Sequence, residues 1–160
     1  MSEQVSKRDE RIQAFIKNLN GLDSGGRARL KRNAGKRLNA ARNIGTFYRI
    51  LPFDTPSYEE EIFFLVATLF PLATSGEIPS FGQSLKRARE SQNARGMDRR
   101  FEVLLDADED QLPFHLRQSV RLLYSKQIPI NWSQLLKDLF SWSHVDKYVQ
   151  TRWARDYFSE

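Results

Sequence analysis

The stretch YEEEIFFLVATLFPL, residues 58–72, decides the fold class. Its apolar run from Ile62 to Leu72, interrupted by Thr68 and Pro71, reads as a strongly apolar helix. It is too short to cross a bilayer, which takes roughly 20 residues. Ser57 is a fair N-cap for it. Glu59, Glu60 and Glu61 then fall in the first turn, where the helix dipole favours negative charge. These glutamates read as helix-starting charge rather than as metal ligands.

The flanking sequence keeps helical spacing. Upstream, Ile12, Phe15, Ile16 and Leu19 lie at i, i+3, i+4 and i+7, which predicts a helix over 8–20 stopped by Asn20-Gly21. Asp23 or Ser24 is placed to cap a second helix from Gly26 to about Ala34, and a third is expected over 38–50, weakened by Gly45. Downstream, a basic helix is expected over 80–92 and an amphipathic one over 99–106. A further helix has Pro113 in its first turn, another is capped by Asn131, and a last one, capped by Ser143, runs to Phe158. No segment alternates with period 2, so the sequence predicts an all-α fold of eight or nine helices. SQNARG, residues 91–96, is the expected break between two small bundles, 1–92 and 97–160.

Composition narrows the function. The chain has 160 residues, 40% of them apolar, which is enough for a core. It has no cysteine, so disulfides, thiolate metal sites and a cysteine nucleophile are excluded. The N-terminal residues lack the apolar core of a signal peptide, and a cytoplasmic protein without membrane contact is expected. His115 and His144 fall in different predicted helices without metal-ligand spacing. The acids at 106–110 lack the glycine and the twelfth-position glutamate of a calcium loop and read as a solvated linker. No cofactor, metal or catalytic residue is expected.

The net charge of +5 is unevenly distributed. From Ser24 to Phe53 there are bases and no acid: Arg27, Arg29, Lys31, Arg32, Lys36, Arg37, Arg42 and Arg49. Arg29, Arg32 and Lys36 are spaced to share one solvated helix face. A second basic stretch holds Lys86, Arg87, Arg89, Arg95, Arg99 and Arg100 against Glu90 and Asp98. Rows of cations neutralise successive phosphates and release counterions, and arginine forks onto phosphate oxygens. The pattern points to nucleic-acid backbone. Phe47, Tyr48 and Trp142 lie at core spacing, so base stacking is not expected of them. Backbone N–H groups at Ser24-Gly25-Gly26 are placed either for a phosphate or for a plain turn.

Gly26-Arg27-Ala28-x-Leu30-Lys31-Arg32, then Phe47-Tyr48-Arg49 and Pro52-Phe53, resembles the CasB small subunit of the type I-E CRISPR surveillance complex, Cascade. Ser80-Phe81-Gly82-x-x-Leu85, Arg99-Arg100-Phe101-x-x-Leu104-Leu105 and Trp132-x-x-Leu135 leading to Leu139 and Trp142 follow in the family's order. The resemblance implies two helical bundles and no catalytic role. It implies partners: the backbone and large subunits, guide RNA, target DNA and a second copy in a head-to-tail homodimer. It also implies a basic surface that steadies the R-loop and its displaced strand. Lys31, Arg32, Arg49, Arg99 and Arg100 match basic positions of the family, whereas Arg27, Lys36, Arg37, Lys86, Arg87 and Arg89 rest on charge alone. Around Ser57 to Glu61 this chain is acidic where the family can carry a base. The competing readings are a helical adaptor with a basic face for an acidic protein and, last, a metal-dependent nuclease.

Overall fold

The computed structural model describes residues 3–160, and among them nine α-helices and three short 3-10 turns. The all-α expectation holds. The only extended pairing among the described residues is one parallel bridge, Ser75 to Ile130.

Helix α1 spans Glu3–Asn20 and buries Ile12, Phe15 and Leu19 completely, the face that the spacing indicated. Helix α2, Ser24–Lys31, is capped by Asp23, whose carboxylate accepts the Gly26 N–H at 2.7 Å. Such a cap contributes about 1 kcal/mol. The helix ends before Ala34 because Asn33 turns inward. Its side chain donates to the Arg42 carbonyl at 2.8 Å and accepts from the Arg42 N–H at 3.0 Å. That bracket, with Gly35 at φ 86°, closes the 33–42 loop. It also breaks the helix expected over 38–50: the chain makes a 3-10 turn at Leu38–Ala40, passes Asn43 at φ 57°, and forms α3 only at Gly45–Ile50.

Helix α4, Glu60–Leu69, is the centre of the molecule. Every residue from Phe63 to Leu69 is buried, as suits a helix that is apolar all round. Ser57 does not cap it, since Ser57–Glu59 forms a separate 3-10 turn that leads into the helix. Phe63 meets Phe15 of α1 at 4.8 Å between ring centroids, and Phe64 meets Phe47 of α3 at 5.3 Å.

Helix α5, Phe81–Ala88, is capped by Ser80, which accepts the Gln83 N–H at 3.1 Å; it stops four residues short of the expected end. Then come α6 (Ala94–Leu105), α7 (Leu112–Ser125), α8 (Trp132–Phe140) and α9 (Tyr148–Phe158). Asn131 caps α8 as expected, accepting the Gln134 N–H at 3.1 Å. Ser143 does not cap α9. It donates instead to Glu109 at 2.7 Å, and the residue before α9 is Lys147 at φ 51°.

The exposed segment 91–92 lies between α5 and α6. Helices from both sides of it share one hydrophobic core. Helices α1 and α4 pack on α8, and α5 packs on α9 more extensively than any other pair. The reason is Gly82, where a Cβ would stand 2.5 Å from the Trp153 carbonyl oxygen, so only glycine lets the two backbones come this close. Phe81, Trp153 and Trp142 continue the aromatic contact, each neighbouring pair at 5.1 Å.

Candidate nucleic-acid interface

The basic side chains sort by what they touch. Arg37 lies 2.5 Å from Asp110 and 3.4 Å from Glu61. Arg89 forks onto both oxygens of Asp98, at 2.8 and 3.0 Å. Arg29 donates to the Thr46 hydroxyl at 2.8 Å, and Lys86 to Ser159 at 3.2 Å. Arg27 lies over the Phe70 ring at 5.3 Å. Four of these five are half-buried, Arg89 being the exposed one. Lys31, Arg32, Lys36, Arg42, Arg49, Arg87, Arg99 and Arg100 are all exposed, with no side-chain hydrogen bond or ion pair among the described residues. The face expected to join Arg29, Arg32 and Lys36 does not form. Helix α2 ends at Lys31, the loop carries Lys36 away, and Arg29 turns to Thr46.

The Arg89 cluster joins three segments. Tyr157 of α9 donates to Asp98 of α6 at 2.7 Å, beside Arg89, which caps the end of α5. The hydrogen bond from Arg89, with a second from Tyr157, holds the Asp98 carboxyl below its usual value, and the same bond raises Arg89. Burial, with the bond to Asp98, pushes the Tyr157 phenol up. These groups clamp the fold.

The glutamates 59–61 do more than start a helix. Glu59 is 1% exposed and accepts from Arg8 Nε, Arg11 Nε and Arg11 Nη2 at 2.9, 3.1 and 2.9 Å. That contact raises the Arg11 guanidinium, chiefly through its hydrogen bond to Glu59. Glu60 accepts from the Tyr48 hydroxyl at 2.8 Å, and Glu61 accepts the Leu38 N–H at 2.8 Å. Residues 106–110 are likewise more than a solvated linker. Asp108 accepts the Asp110 and Gln111 N–H groups, and Asp110 takes Arg37. The acid-free basic segment is thus neutralised in part from distant segments.

Of the aromatic residues, Phe47 and Trp142 are core, and the Trp142 indole donates to the Ala107 carbonyl at 2.9 Å. Tyr48 is 40% exposed, unlike the core placement expected. The Gly26 N–H is taken by Asp23, so that turn does not present it to a ligand. Among the described residues no three histidine or acidic side chains gather in a metal-holding group, and no helix is long and apolar enough to cross a membrane.

Arg117 and Arg121 lie outside both basic stretches of the sequence. They sit at i and i+4 on α7 and share a groove with Lys31. Their i, i+4 spacing is the signal for them in the sequence.

Residues 26–158 match the family described as CRISPR-associated protein Cse2. A CRISPR-associated protein Cse2 of Thermus thermophilus is 33% identical over 159 residues, covering 93% of this chain and 89% of that protein. The crystal structure of M. ruber CasB superposes with a TM-score of 0.77 at 31% identity, over 92% of both chains. A chain of a CRISPR RNA-guided surveillance complex superposes with a TM-score of 0.78 at 25% identity, over 93% of this chain and 92% of that one. With its helix order, its core and these matches in agreement, the chain belongs to the CRISPR-associated Cse2 family, whose members include the CasB proteins.

Proposed function

We propose that the chain is the non-catalytic small subunit of a type I-E Cascade complex, and that it grips nucleic-acid backbone without reading sequence. The observation that carries this is that eight of the thirteen cations expected at the site are exposed and have no carboxylate partner among the described residues. Exposed, unneutralised arginine and lysine bind phosphate oxygens and gain from counterion release. The likeness to a chain of a CRISPR RNA-guided surveillance complex supports the assembly. Its partners are then the backbone and large subunits, guide RNA, target DNA and a second copy in head-to-tail contact.

The physics suits such a subunit. Exchanging a DNA duplex for an RNA–DNA heteroduplex is close to balanced, so modest contacts to the opened strands tip it. Sequence is read by base pairing, and the protein needs only backbone contacts. Within the basic segments, Lys31, Arg32, Lys36, Arg42, Arg49, Arg87, Arg99 and Arg100 meet phosphate. Arg27, Arg29, Arg37, Lys86 and Arg89 chiefly hold helices together.

The test is R-loop formation by a reconstituted complex with and without this chain, followed by permanganate reactivity of the displaced strand. Addition of the chain should stabilise the open strand. No change, together with binding to acidic proteins alone, would assign the chain to the adaptor class instead.

A further inference from the structure

Arg117 is held in an unusual setting. Its Nε is buried and has no hydrogen-bond partner among the described residues. Its aliphatic stem lies against Gly35, where a Cβ would come within 3.0 Å of Arg117 Cδ. Gly35 therefore does two things: it takes the φ of 86° that the loop requires, and it leaves room for this arginine. The stem is fixed while a polar atom of the head lacks its partner, and a buried donor left unpaired costs about 1–3 kcal/mol.

Arg117 also borders open space. It lines a groove of about 410 Å³ between the end of α2 and α7, together with Lys31, Arg121 and Tyr124. Three cations line it and no carboxylate does. Like charges gathered without a counter-ion repel, and an anion relieves that repulsion. Tyr124 is 62% exposed and sits three residues after Arg121, so its ring is open to a partner.

We propose that this groove seats one nucleotide of an unpaired strand, its phosphodiester on Lys31, Arg117 and Arg121 and its base against the Tyr124 ring. The proposal rests on the backbone-binding function above and adds a preference: a π-face is available to tyrosine only where the base is unpaired. The groove therefore favours single strands, whereas the other exposed cations accept any phosphate backbone.

The experiment uses the full chain, with fluorescence anisotropy of a labelled oligothymidylate and of a labelled duplex at several salt concentrations. Tyr124→Ala should weaken oligothymidylate binding by about fivefold to a hundredfold, from the worth of one base–aromatic stack, and leave duplex binding unchanged. Tyr124→Phe should bind as the parent does. Arg121→Gln should flatten the single-strand salt dependence by about 0.7 on the log–log scale. Both side chains are exposed, so unchanged melting temperatures accompany these effects. If the parent binds both probes and Tyr124→Ala binds them as the parent does, or loses both equally, the groove proposal is overturned while the backbone-binding function stands. If the parent binds neither probe, the function fails and takes this proposal with it.

Discussion

Consider Arg32→Gln beside Arg37→Gln. The two arginines are five positions apart in the acid-free segment and look alike in sequence. Arg32 is exposed and has no carboxylate partner among the described residues, whereas Arg37 contacts both Asp110 and Glu61. A phosphate neutralised by Arg32 releases counterions and adds about 0.9 to the log–log salt slope on duplex DNA. Over a fourfold rise in salt, that one contact is worth about a 3.5-fold loss of affinity. Arg32→Gln should therefore flatten the slope by about 0.9 and leave the melting temperature unchanged. Arg37→Gln should leave the slope nearly as it was. It should cost up to about 1 kcal/mol of stability, because its pairs are partly exposed, and about 2–4 °C in a melt of a chain this size. The assay is duplex binding by anisotropy across a salt series, paired with thermal melts. Arg100→Gln and Arg89→Gln form a second such pair. Equal flattening by Arg32→Gln and Arg37→Gln would refute the division into open and tied cations.

Three further outcomes are expected. Gly82→Ala drives a methyl group into the Trp153 backbone, 2.5 Å from its carbonyl oxygen, so one backbone must shift to admit it. Overpacking less the better helix propensity of alanine leaves about 2 kcal/mol of destabilisation, or about 4–8 °C by calorimetry, and an unchanged melt would mean that the α5–α9 seam is loose. Glu59→Gln strips the charge from a carboxylate that serves two arginines and should cost about 3–5 kcal/mol; the Arg11→Met/Glu59→Leu double variant should recover part of that in urea unfolding, since an apolar pair needs no desolvated charge. Asp98 is held below its ordinary value of 3.8 by Arg89 and Tyr157, so its contribution is present above that pH and is lost as pH falls through the lowered value. Asp98→Asn should accordingly be less stable at neutral pH and show a shallower loss of stability on acidification.

Local signals in the sequence located what local physics controls. The caps at Asp23 and Asn131, the buried face of α1 and the all-apolar α4 were legible because each is set by residues within a turn or two. The failures came from partners far away. The helix expected over 38–50 is undone by Asn33 reaching across nine positions to Arg42, and Ser143 gives up a cap to bond Glu109, 34 positions earlier. The candidate site failed in the same manner. That Arg37 is neutralised is a fact about Asp110, 73 positions on, and no count of charges within a window contains it. The groove around Arg117 was hidden for a related reason: Lys31 and Arg121 meet only once α2 and α7 are folded together.

The close contact of α5 with α9 also bears on the order in which the molecule is made. Ser80, at the head of α5, bonds Asp156, 76 positions later. Until that part of the chain has been synthesised, Phe81 has no Trp153 to cover it. Closing so long a loop is slow, and α5 waits for it with its apolar side open. Folding should then finish from the late end, α9 completing a surface that α5 began. Pulse-labelled hydrogen exchange should show the amides of α5 gaining protection together with those of α9, and after those of α4; protection of α5 ahead of α9 would reverse that order. A nascent chain stalled before α9 emerges would be the species most exposed to aggregation, and a chaperone's natural client.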